Sequence, residues 1–431
     1  MKTPFDHRLS RRSFLGRSAV VGTALLGGFP MISSGAPSDK VLKVGLVGCG
    51  NRGCDAAEEA LKADKNVILT AMGDVFADHL EVGHHNLTAL VPEKMKVDPA
   101  QRFVGLDAID KVLATDVDVV ILTTPPGFRP EHYEKSVAAG KHVFCEKPVA
   151  TDAVGVRRFM AAAAESKKKG LGCQSGFCWR SHYAERESYK RIEDGMIGDV
   201  RAAFGTYLAG SAWVKERKPE WSDLEYQLRN WMYFTWLAGD HLVEQAVHTV
   251  DKMCWAFGDA TPLKATGQGG RQQRVEEQYG QIYDHFSVVY EFADGARGHV
   301  ACRQQAGCAN DVSDHVIGAK GFLHQTSGRM NVIEAGTDRW KYAGPTNDMY
   351  QTEHDEFFAS IREGKPLNFG EKMAHSTMVA IMGRMSAYTG QTISWEDALN
   401  SKENLHPSEP LDFKMKLPTP PISMPGRTKF I

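Results

Sequence analysis

Two short segments carry acid–base side chains at spacings that could move a hydride and a proton. Glu146-Lys147-Pro148 follows a short apolar run, and Glu244 and His248 stand four residues apart further along the chain. On a helix that spacing places both side chains on one face. A histidine can take the proton of a carbinol near neutral pH, and a lysine ammonium can stabilise the developing alkoxide. We therefore predict Lys147, His248 and Glu244 as catalytic residues; for Glu244 and His248 alone, a helix-surface ion pair is the alternative.

A glycine-rich loop supplies the second signal. Gly48-x-Gly50-x-x-Gly53 follows the apolar run Val41–Val47 and opens a predicted helix, and Asp74 ends the next predicted strand. In that context the pattern is a dinucleotide fingerprint, because the glycines permit a tight turn, close approach to a pyrophosphate and close packing of helix on strand. The helix N-terminus offers free N–H groups to phosphates. Asp74 can bond ribose hydroxyls and would repel a 2′-phosphate, so we predict NAD, with NADP less favoured.

A parallel sheet is needed to bring these residues together. Apolar runs alternating with helical stretches predict strands at Val67–Met72, Val117–Leu122 and His142–Phe144, and hence a doubly wound α/β sheet. In such sheets ligands bind outside the carboxyl ends of the strands, where Glu146-Lys147-Pro148 falls. Further on, strand patterns at Ile282–Glu291 and Arg297–Arg303, joined by a hairpin-type turn, predict a second, open sheet.

The combined motifs resemble the Gfo/Idh/MocA family from Val41 to about Asp397. Gly48–Gly53 and Glu146–Pro148 are the most specific parts, and His248 and Asp251 match the family's D-x-x-x-H followed by x-x-D, with Glu244 at the first Asp position. The resemblance implies an N-terminal Rossmann domain and a C-terminal α/β domain with a large, mostly antiparallel sheet. It also implies a homodimer or homotetramer formed through that sheet, and a Lys147 that contacts nicotinamide and substrate.

The predicted site has a cofactor part and a substrate part. Thr124 and Pro125 match the family's nicotinamide-side turn, and Arg52 could weaken the preference for NAD. The predicted cofactor residues are Gly48, Gly50, Asn51, Arg52, Gly53, Asp74, Thr124, Pro125, His132, Glu146 and Lys147. An aromatic cluster, Arg229–Trp236, suits a sugar platform, with domain or subunit packing as the alternative. The predicted substrate residues are Arg180, Tyr183, Arg229, Trp231, Glu244 and His248. Arg180 and Tyr183, together with Arg303, are weaker candidates, for which a solvated surface position is the alternative.

Net charge and cysteine spacing limit the classes of partner and metal site that the chain can have. The chain has 431 residues and a net charge of -2, so no basic excess favours nucleic acid as a partner. None of its 8 cysteines forms a C-x-x-C pair, and no metal site is predicted. We divide the chain into a signal segment (1–36), a Rossmann domain (41–150), a C-terminal domain (151–397) and a proline-rich tail (398–431).

The N-terminus reads as an export signal. Ser10-Arg11-Arg12-Ser13-Phe14-Leu15 is followed by an apolar run from Ala19 to Phe29, too short for a comfortable membrane span. The string resembles the twin-arginine signal, which predicts a periplasmic or otherwise extracytoplasmic protein, anchored if the signal stays uncleaved.

These observations predict an NAD-dependent oxidoreductase acting on a CH–OH group of a sugar, polyol or glycoside. The export signal favours tightly bound NAD(H) in a redox-neutral cycle. Two alternatives stay open: an NAD-dependent glycoside hydrolase that oxidises its substrate transiently, and a non-catalytic ligand-sensing protein of the same fold.

Overall fold

The computed structural model describes residues 39–326 and 330–431. The predicted export signal, residues 1–36, lies outside the described residues. The predicted fold class is confirmed: a parallel α/β sheet is followed by a larger, mostly antiparallel sheet. None of the helices in the described ranges is long and apolar enough to cross a membrane.

The first sheet is fully parallel and has the strand order β3-β2-β1-β4-β5-β6. Its strands are β1 (Leu42–Val47), β2 (Val67–Asp74), β3 (Arg102–Val104), β4 (Val119–Leu122), β5 (His142–Cys145) and β6 (Cys173–Ser175). The central strands are short apolar runs because helices cover both faces; β4, for example, is buried along its whole length. The sheet extends to Ser175, past the predicted limit of the Rossmann domain at residue 150. Its last strand, β6, was not predicted because it is only three residues long and has no apolar run.

Helices of the first half connect these strands and cover the sheet. They are α1 (Asn51–Ala63), α2 (Ala77–Leu90), α3 (Ala108–Leu113), α4 (Arg129–Ala138) and α5 (Ala153–Lys168). The strand order reverses between β1 and β4, which opens a crevice at the carboxyl edge of the sheet. Both the glycine loop after β1 and the Glu146-Lys147 turn after β5 reach that edge.

The second sheet has nine strands in the order β14-β13-β12-β11-β7-β10-β9-β8-β15. Its strands are β7 (Val200–Ala209), β8 (Lys264–Gly270), β9 (His285–Glu291), β10 (Arg297–Gln304), β11 (Asp311–Gly318), β12 (Gly321–Thr326), β13 (Met330–Ala335), β14 (Asp338–Lys341) and β15 (Ile393–Ser394). Only the β7–β10 pair is parallel among these described strands. Alternation along β10 buries Val300 and Cys302 on the inner face.

The remaining helices lie between or beside the two sheets. They are α6 (Tyr183–Glu193), α7 (Asp223–Arg229), α8 (Thr235–Ala238), α9 (His241–Glu244), α10 (Val247–Ala256), α11 (Met349–Arg362), α12 (Gly370–Thr389) and α13 (Trp395–Asn400). Helix α12 is buried along most of its length and contacts α5 on one side and strands β8 and β9 on the other. It thereby joins the two sheets into one packed body.

A buried ion pair fixes α10 on the inner face of the second sheet. The side chains of Lys252 and Asp314 are 1% and 6% exposed and bond directly, and Glu185 lies in the same buried neighbourhood. A charge buried to this degree needs its partner, because removing one member leaves the other charge without compensation.

We expect Lys252→Met to lower the free energy of unfolding by roughly 3–5 kcal/mol, since it leaves buried carboxylates without a cation. Urea denaturation measures the loss. The control is Lys190→Met, which removes an exposed pair with Asp194 and should cost less than about 1 kcal/mol. Equal, small losses in the two variants would contradict a structural role for the buried pair.

Candidate active site

A cleft of about 750 Å³ opens where the strand order of the first sheet reverses. It brings together seven of the predicted site residues with apolar side chains from both halves of the chain. The lining residues include Gly48, Gly50, Asp74, Phe76, Leu106, Thr124, Pro125, Phe128, His132, Leu228 and Trp231. This is the position in which open α/β sheets bind nucleotides.

The glycine loop fits a pyrophosphate. A Cβ on Gly53 would lie 1.9 Å from the carbonyl oxygen of Gly48, so this close packing of α1 on the loop requires glycine. Gly48 has φ +97°, which also favours glycine, whereas a Cβ on Gly50 would meet no atom within 4 Å. The N-terminus of α1 has no side-chain cap and no acidic residue in its first turn. Its N–H groups and the open space over Gly50 suit a phosphate ligand.

The ribose end of the cleft presents carboxylates. Asp74 is buried; its oxygens accept hydrogen bonds from the main-chain N–H groups of Cys49 at 2.6 Å and Phe76 at 2.9 Å, which fixes the carboxylate at the end of β2. Arg229 lies nearby, but it is paired with Asp78 at 2.9 Å. Arg52, which could have favoured NADP, is paired with glutamates at 2.6 and 3.1 Å. The ribose end therefore favours NAD.

Lys147 reaches from the turn after β5 to helix α9. Its Nζ donates hydrogen bonds to the main-chain oxygen of Glu244 at 2.6 Å and to Glu244 Oε1 at 3.2 Å. The other carboxylate oxygen of Glu244, Oε2, is buried and has no hydrogen-bond partner among the described residues. The structure thus brings together two of the three predicted catalytic residues in direct contact.

His248 stands one turn further along the same segment, at the start of α10. Its Nδ1 is buried and unpartnered within the described part of the chain, and its ring meets Phe177 edge-on at 6.0 Å. Burial lowers the pKa of His248 well below its usual value, and the positive charges of Lys147 and Lys252 lower it further. The imidazole is therefore neutral near pH 7 and able to accept a proton.

Sequence reasoning missed a second histidine, His241, at the first position of α9. It is 2% exposed, and neither ring nitrogen meets the geometry of a hydrogen bond within the described ranges, although Gln245 lies beside the ring. Burial lowers the pKa of His241 to about 3. The spacing His241, Glu244, His248 follows the i, i+3, i+7 pattern of one helix face, a signal that could have identified it.

Two further residues position Lys147. Arg129, also missed from the sequence, donates hydrogen bonds to the main-chain oxygens of Thr124 at 2.8 Å and Pro148 at 2.7 Å, joining the turns after β4 and β5. Glu146 accepts from Arg52 Nε at 2.6 Å and from the main-chain N–H of Lys147 at 3.0 Å. Glu146 thus links the start of α1 to the lysine, and the structure shows it in this positioning contact.

Two of the predicted substrate residues, Arg180 and Tyr183, have no recorded contact with Lys147 among the described residues. Arg180 forms hydrogen bonds with Asp251 at 2.9 Å and with Asp259 at 2.6 Å, so its guanidinium is already engaged. Tyr183 is 39% exposed at the start of α6.

The aromatic cluster and Arg303 have the following contacts. Arg229 stacks on Phe76 at 3.9 Å, and Trp231 lines the nucleotide cleft. Arg303 donates to the main-chain oxygen of Ala309.

The arrangement can oxidise a carbinol to a carbonyl, or reduce a carbonyl to a carbinol. NAD, when bound, supplies the acceptor or donor of the hydride. His248, neutral and unpartnered at Nδ1, can take the hydroxyl proton, and the ammonium of Lys147 can stabilise negative charge on the substrate oxygen. Glu244 holds Lys147 and keeps Oε2 available for a substrate hydroxyl. Within the described ranges, no group of three or more His, Cys, Asp or Glu side chains could hold a metal ion.

The fold and this site define a dinucleotide-dependent oxidoreductase. A family model described as "Oxidoreductase family, NAD-binding Rossmann fold" matches residues 42–174, and one described as "GFO/IDH/MocA C-terminal domain" matches residues 186–324. The chain therefore belongs to the Gfo/Idh/MocA family of NAD-binding oxidoreductases. This confirms the resemblance drawn from Gly48–Gly53 and Glu146–Pro148.

Individual relatives have low sequence identity to this chain, but their alignments cover more than half of it. Inositol 2-dehydrogenase of Rhizobium meliloti is 26% identical over 59% of this chain and 70% of its own length; inositol 2-dehydrogenase 3 of Saccharopolyspora erythraea is 25% identical over 74% and 83%. Two solved structures share the fold. They are a levoglucosan dehydrogenase in complex with NADH and levoglucosan (TM-score 0.67, 19% identity, covering 82% of this chain and 99% of that one) and the aldose-aldose oxidoreductase of Caulobacter crescentus (0.64, 18%, 82% and 100%).

We expect Lys147→Met and His248→Asn each to lower turnover by roughly 10²–10⁴-fold, the usual effect of losing an acid–base or charge-stabilising group. NAD affinity, measured by titration, should change little, since the glycine loop and Asp74 are untouched. Lys168→Met, which alters a lysine whose side chain is 75% exposed, is the matched control. Near-normal turnover in either active-site variant would show that its residue is structural.

Proposed function

We propose that this protein oxidises a CH–OH group of a sugar, polyol or glycoside to a carbonyl with NAD(H) that stays bound between half-reactions, and that the bound NADH then passes its hydride to a carbonyl, either of a second substrate or of the same substrate after it has been oxidised. The observation that carries the proposal is the contact of Lys147 with Glu244 beside an NAD cleft, with Glu244 Oε2 and His248 Nδ1 left unpartnered among the described residues. Buried polar atoms normally form hydrogen bonds, so we infer that these two atoms bond to the hydroxyl groups of a polar substrate.

The names of relatives support a carbohydrate-like substrate. The two relatives above are named for inositol, and the structural neighbours for levoglucosan and for aldoses. All of these are polyhydroxylated compounds with oxidisable secondary or anomeric carbinols. Relatives named as dehydrogenases do not favour the glycoside hydrolase, and the intact Lys147–Glu244 contact does not favour a non-catalytic sensor.

Contacts of the C-terminal segment, residues 401–431, support retention of the cofactor. Phe413 lies 6.3 Å from Phe76 and His406 lies 6.2 Å from Phe128, measured between ring centroids, and both partners line the nucleotide cleft. The main-chain N–H of Leu405 donates to Asp152 at 2.8 Å, which holds the segment in place. The C-terminal segment therefore packs against one wall of the nucleotide cleft and should slow the opening of the cleft.

Export through the twin-arginine route is the second part of the proposal, and it rests on Arg11 and Arg12 with the apolar run behind them. Export is also consistent with a bound cofactor. Outside the cytoplasm there is little free NAD to exchange with, so an exported enzyme must regenerate its cofactor while the cofactor stays bound. Replacing both arginines by lysine should leave the protein in the cytoplasm, and normal export of that variant would exclude this route.

Assembly into a homodimer or homotetramer is also proposed, through the outer face of the second sheet. Four large apolar side chains, on β7, β9, β11 and β12, are 41–43% exposed there: Phe204, Val289, Ile317 and Phe322. A second copy of the same face would cover them, and apolar exposure on this scale marks association surfaces.

We expect the purified protein to carry NAD(H) through gel filtration and, given a suitable sugar together with a carbonyl compound that accepts the hydride, to turn over without added cofactor, because slow dissociation is required for a closed cycle. Denaturing the protein and assaying the supernatant for NAD(H) measures the retained cofactor. Protein that is free of cofactor and accumulates NADH in solution from added NAD would contradict the closed cycle.

A matched pair of variants tests the role of the C-terminal segment. Phe413→Ala, which removes the contact with Phe76, should speed the loss of NAD on dilution, whereas Ile422→Ala, at a side chain 47% exposed, should not.

A further inference from the structure

Arg274 is a buried arginine with no acceptor for the end of its side chain. It is 3% exposed, and neither of its terminal nitrogens has a hydrogen-bond partner in the described part of the chain. Its guanidinium lies over the rings of Tyr233 and Tyr279, at 5.4 and 5.9 Å. Burying a guanidinium without acceptors costs several kcal/mol, so the position calls for a function.

The nearest carboxylates do not supply the missing acceptors. Asp284 accepts hydrogen bonds from the main-chain N–H groups of residues 272–274, from the ring of His285 and from Gln305. Asp240 accepts from the main-chain N–H groups of His241 and Tyr283 and from the Tyr388 hydroxyl. Both carboxylates lie within electrostatic reach of Arg274, so they ease the burial of its charge but give it no oxygen to bond.

His241 lies within electrostatic reach of both Arg274 and Lys147. Arg274 and Lys147 both act on His241 electrostatically, which places the imidazole in the field of both cations. Gln304 adds another unpartnered buried atom, Oε1, and donates its amide to Gln245 beside the His241 ring. Among the described residues, unpartnered buried atoms therefore occur on Glu244, His248, His241, Gln304 and Arg274, and His241 interacts electrostatically with both Lys147 and Arg274.

We propose that Arg274 and His241 form a subsite for a carboxylate carried by the substrate, which makes sugar acids the substrate class. Two unoccupied terminal nitrogens on one planar guanidinium match the two oxygens of a carboxylate. His241 offers an N–H donor from its neutral ring. This inference rests on the proposed function, and it adds that the substrate end away from the reacting carbon is anionic.

Matched pairs of acid and neutral sugars test the subsite through activity. The probes are D-glucuronate with D-glucose, D-galacturonate with D-galactose, and D-gluconate with D-glucitol, and the readout is reduction of bound NAD at 340 nm. We expect at least one acid to exceed its neutral partner by about 100-fold in the second-order rate constant for reduction of bound NAD. Arg274→Met should lower that rate constant for the acid by about 100-fold and leave the value for the neutral partner nearly unchanged.

Thermal unfolding of the same proteins gives a readout independent of turnover. Without ligand, Arg274→Met should keep or raise the Tm, because it removes a buried charge that lacks acceptors. An acid probe should raise the Tm of the wild type and not that of the variant. Arg271→Met is the control: Arg271 bonds the main-chain oxygen of Gly280 at 2.7 Å, so this variant should lower the Tm and leave the acid-to-neutral ratio unchanged.

The outcomes separate the subsite from the proposed function. Neutral sugars that react as well as acids, an equal loss of both in Arg274→Met, a clear fall in Tm for that variant without ligand, or no Tm shift with any of the three acids would overturn the subsite. An Arg274-dependent Tm shift without any reduction of NAD would instead overturn the oxidoreductase function and leave the subsite standing.

Discussion

The contact between Lys147 and Glu244 is the constraint on which the site depends. It joins the turn after β5 to the end of α9, across 97 residues of sequence, and so brings the nucleotide-binding half of the chain against the half built on the second sheet. A half-buried ammonium needs acceptors close at hand. The main-chain oxygen and one carboxylate oxygen of Glu244 provide two, and the remaining N–H of the ammonium can face a substrate.

Both ends of this contact are held by a second layer of polar groups. On the Rossmann side, Arg129 and Glu146 fix the main chain around Lys147. On the other side, Gly239 and Asp240 both have positive φ, 78° and 74°, immediately before α9. Positive φ at an aspartate is strained, and local hydrogen bonds must stabilise it. The main-chain N–H groups of His241 and Tyr283 and the Tyr388 hydroxyl do so, and the helix that carries Glu244 is thereby aimed at Lys147.

Local motifs were predictable and tertiary pairings were not. Gly48, Gly50 and Gly53 act through their own backbone, and Lys147 follows directly from the end of a strand, so a pattern of a few residues was enough. The sequence pattern gave no indication that Arg180 pairs with Asp251 and Asp259, which lie 71 and 79 residues away.

Short or broken elements account for the remaining differences. Strand β6, the last strand of the first sheet, has three residues and no apolar run, so the sequence pattern did not predict it. The predicted helix through Glu244 and His248 is interrupted at Gln245 and Ala246, although both side chains still contribute to one site. His241 and Arg274 become visible only when burial shows that their polar atoms lack partners.

The central claim is that a substrate carbinol beside Lys147, Glu244 and His248 exchanges a hydride with NAD in the cleft. The most direct measurement uses a sugar that the protein accepts, deuterated at its carbinol carbons, and mixes it with the NAD-loaded protein for a single turnover. The recovered cofactor is then analysed by mass spectrometry. The account predicts one deuterium in the reduced nicotinamide from the wild-type protein and almost none from Lys147→Met in the same time. Reduced cofactor without deuterium, or equal labelling by both proteins, would contradict it.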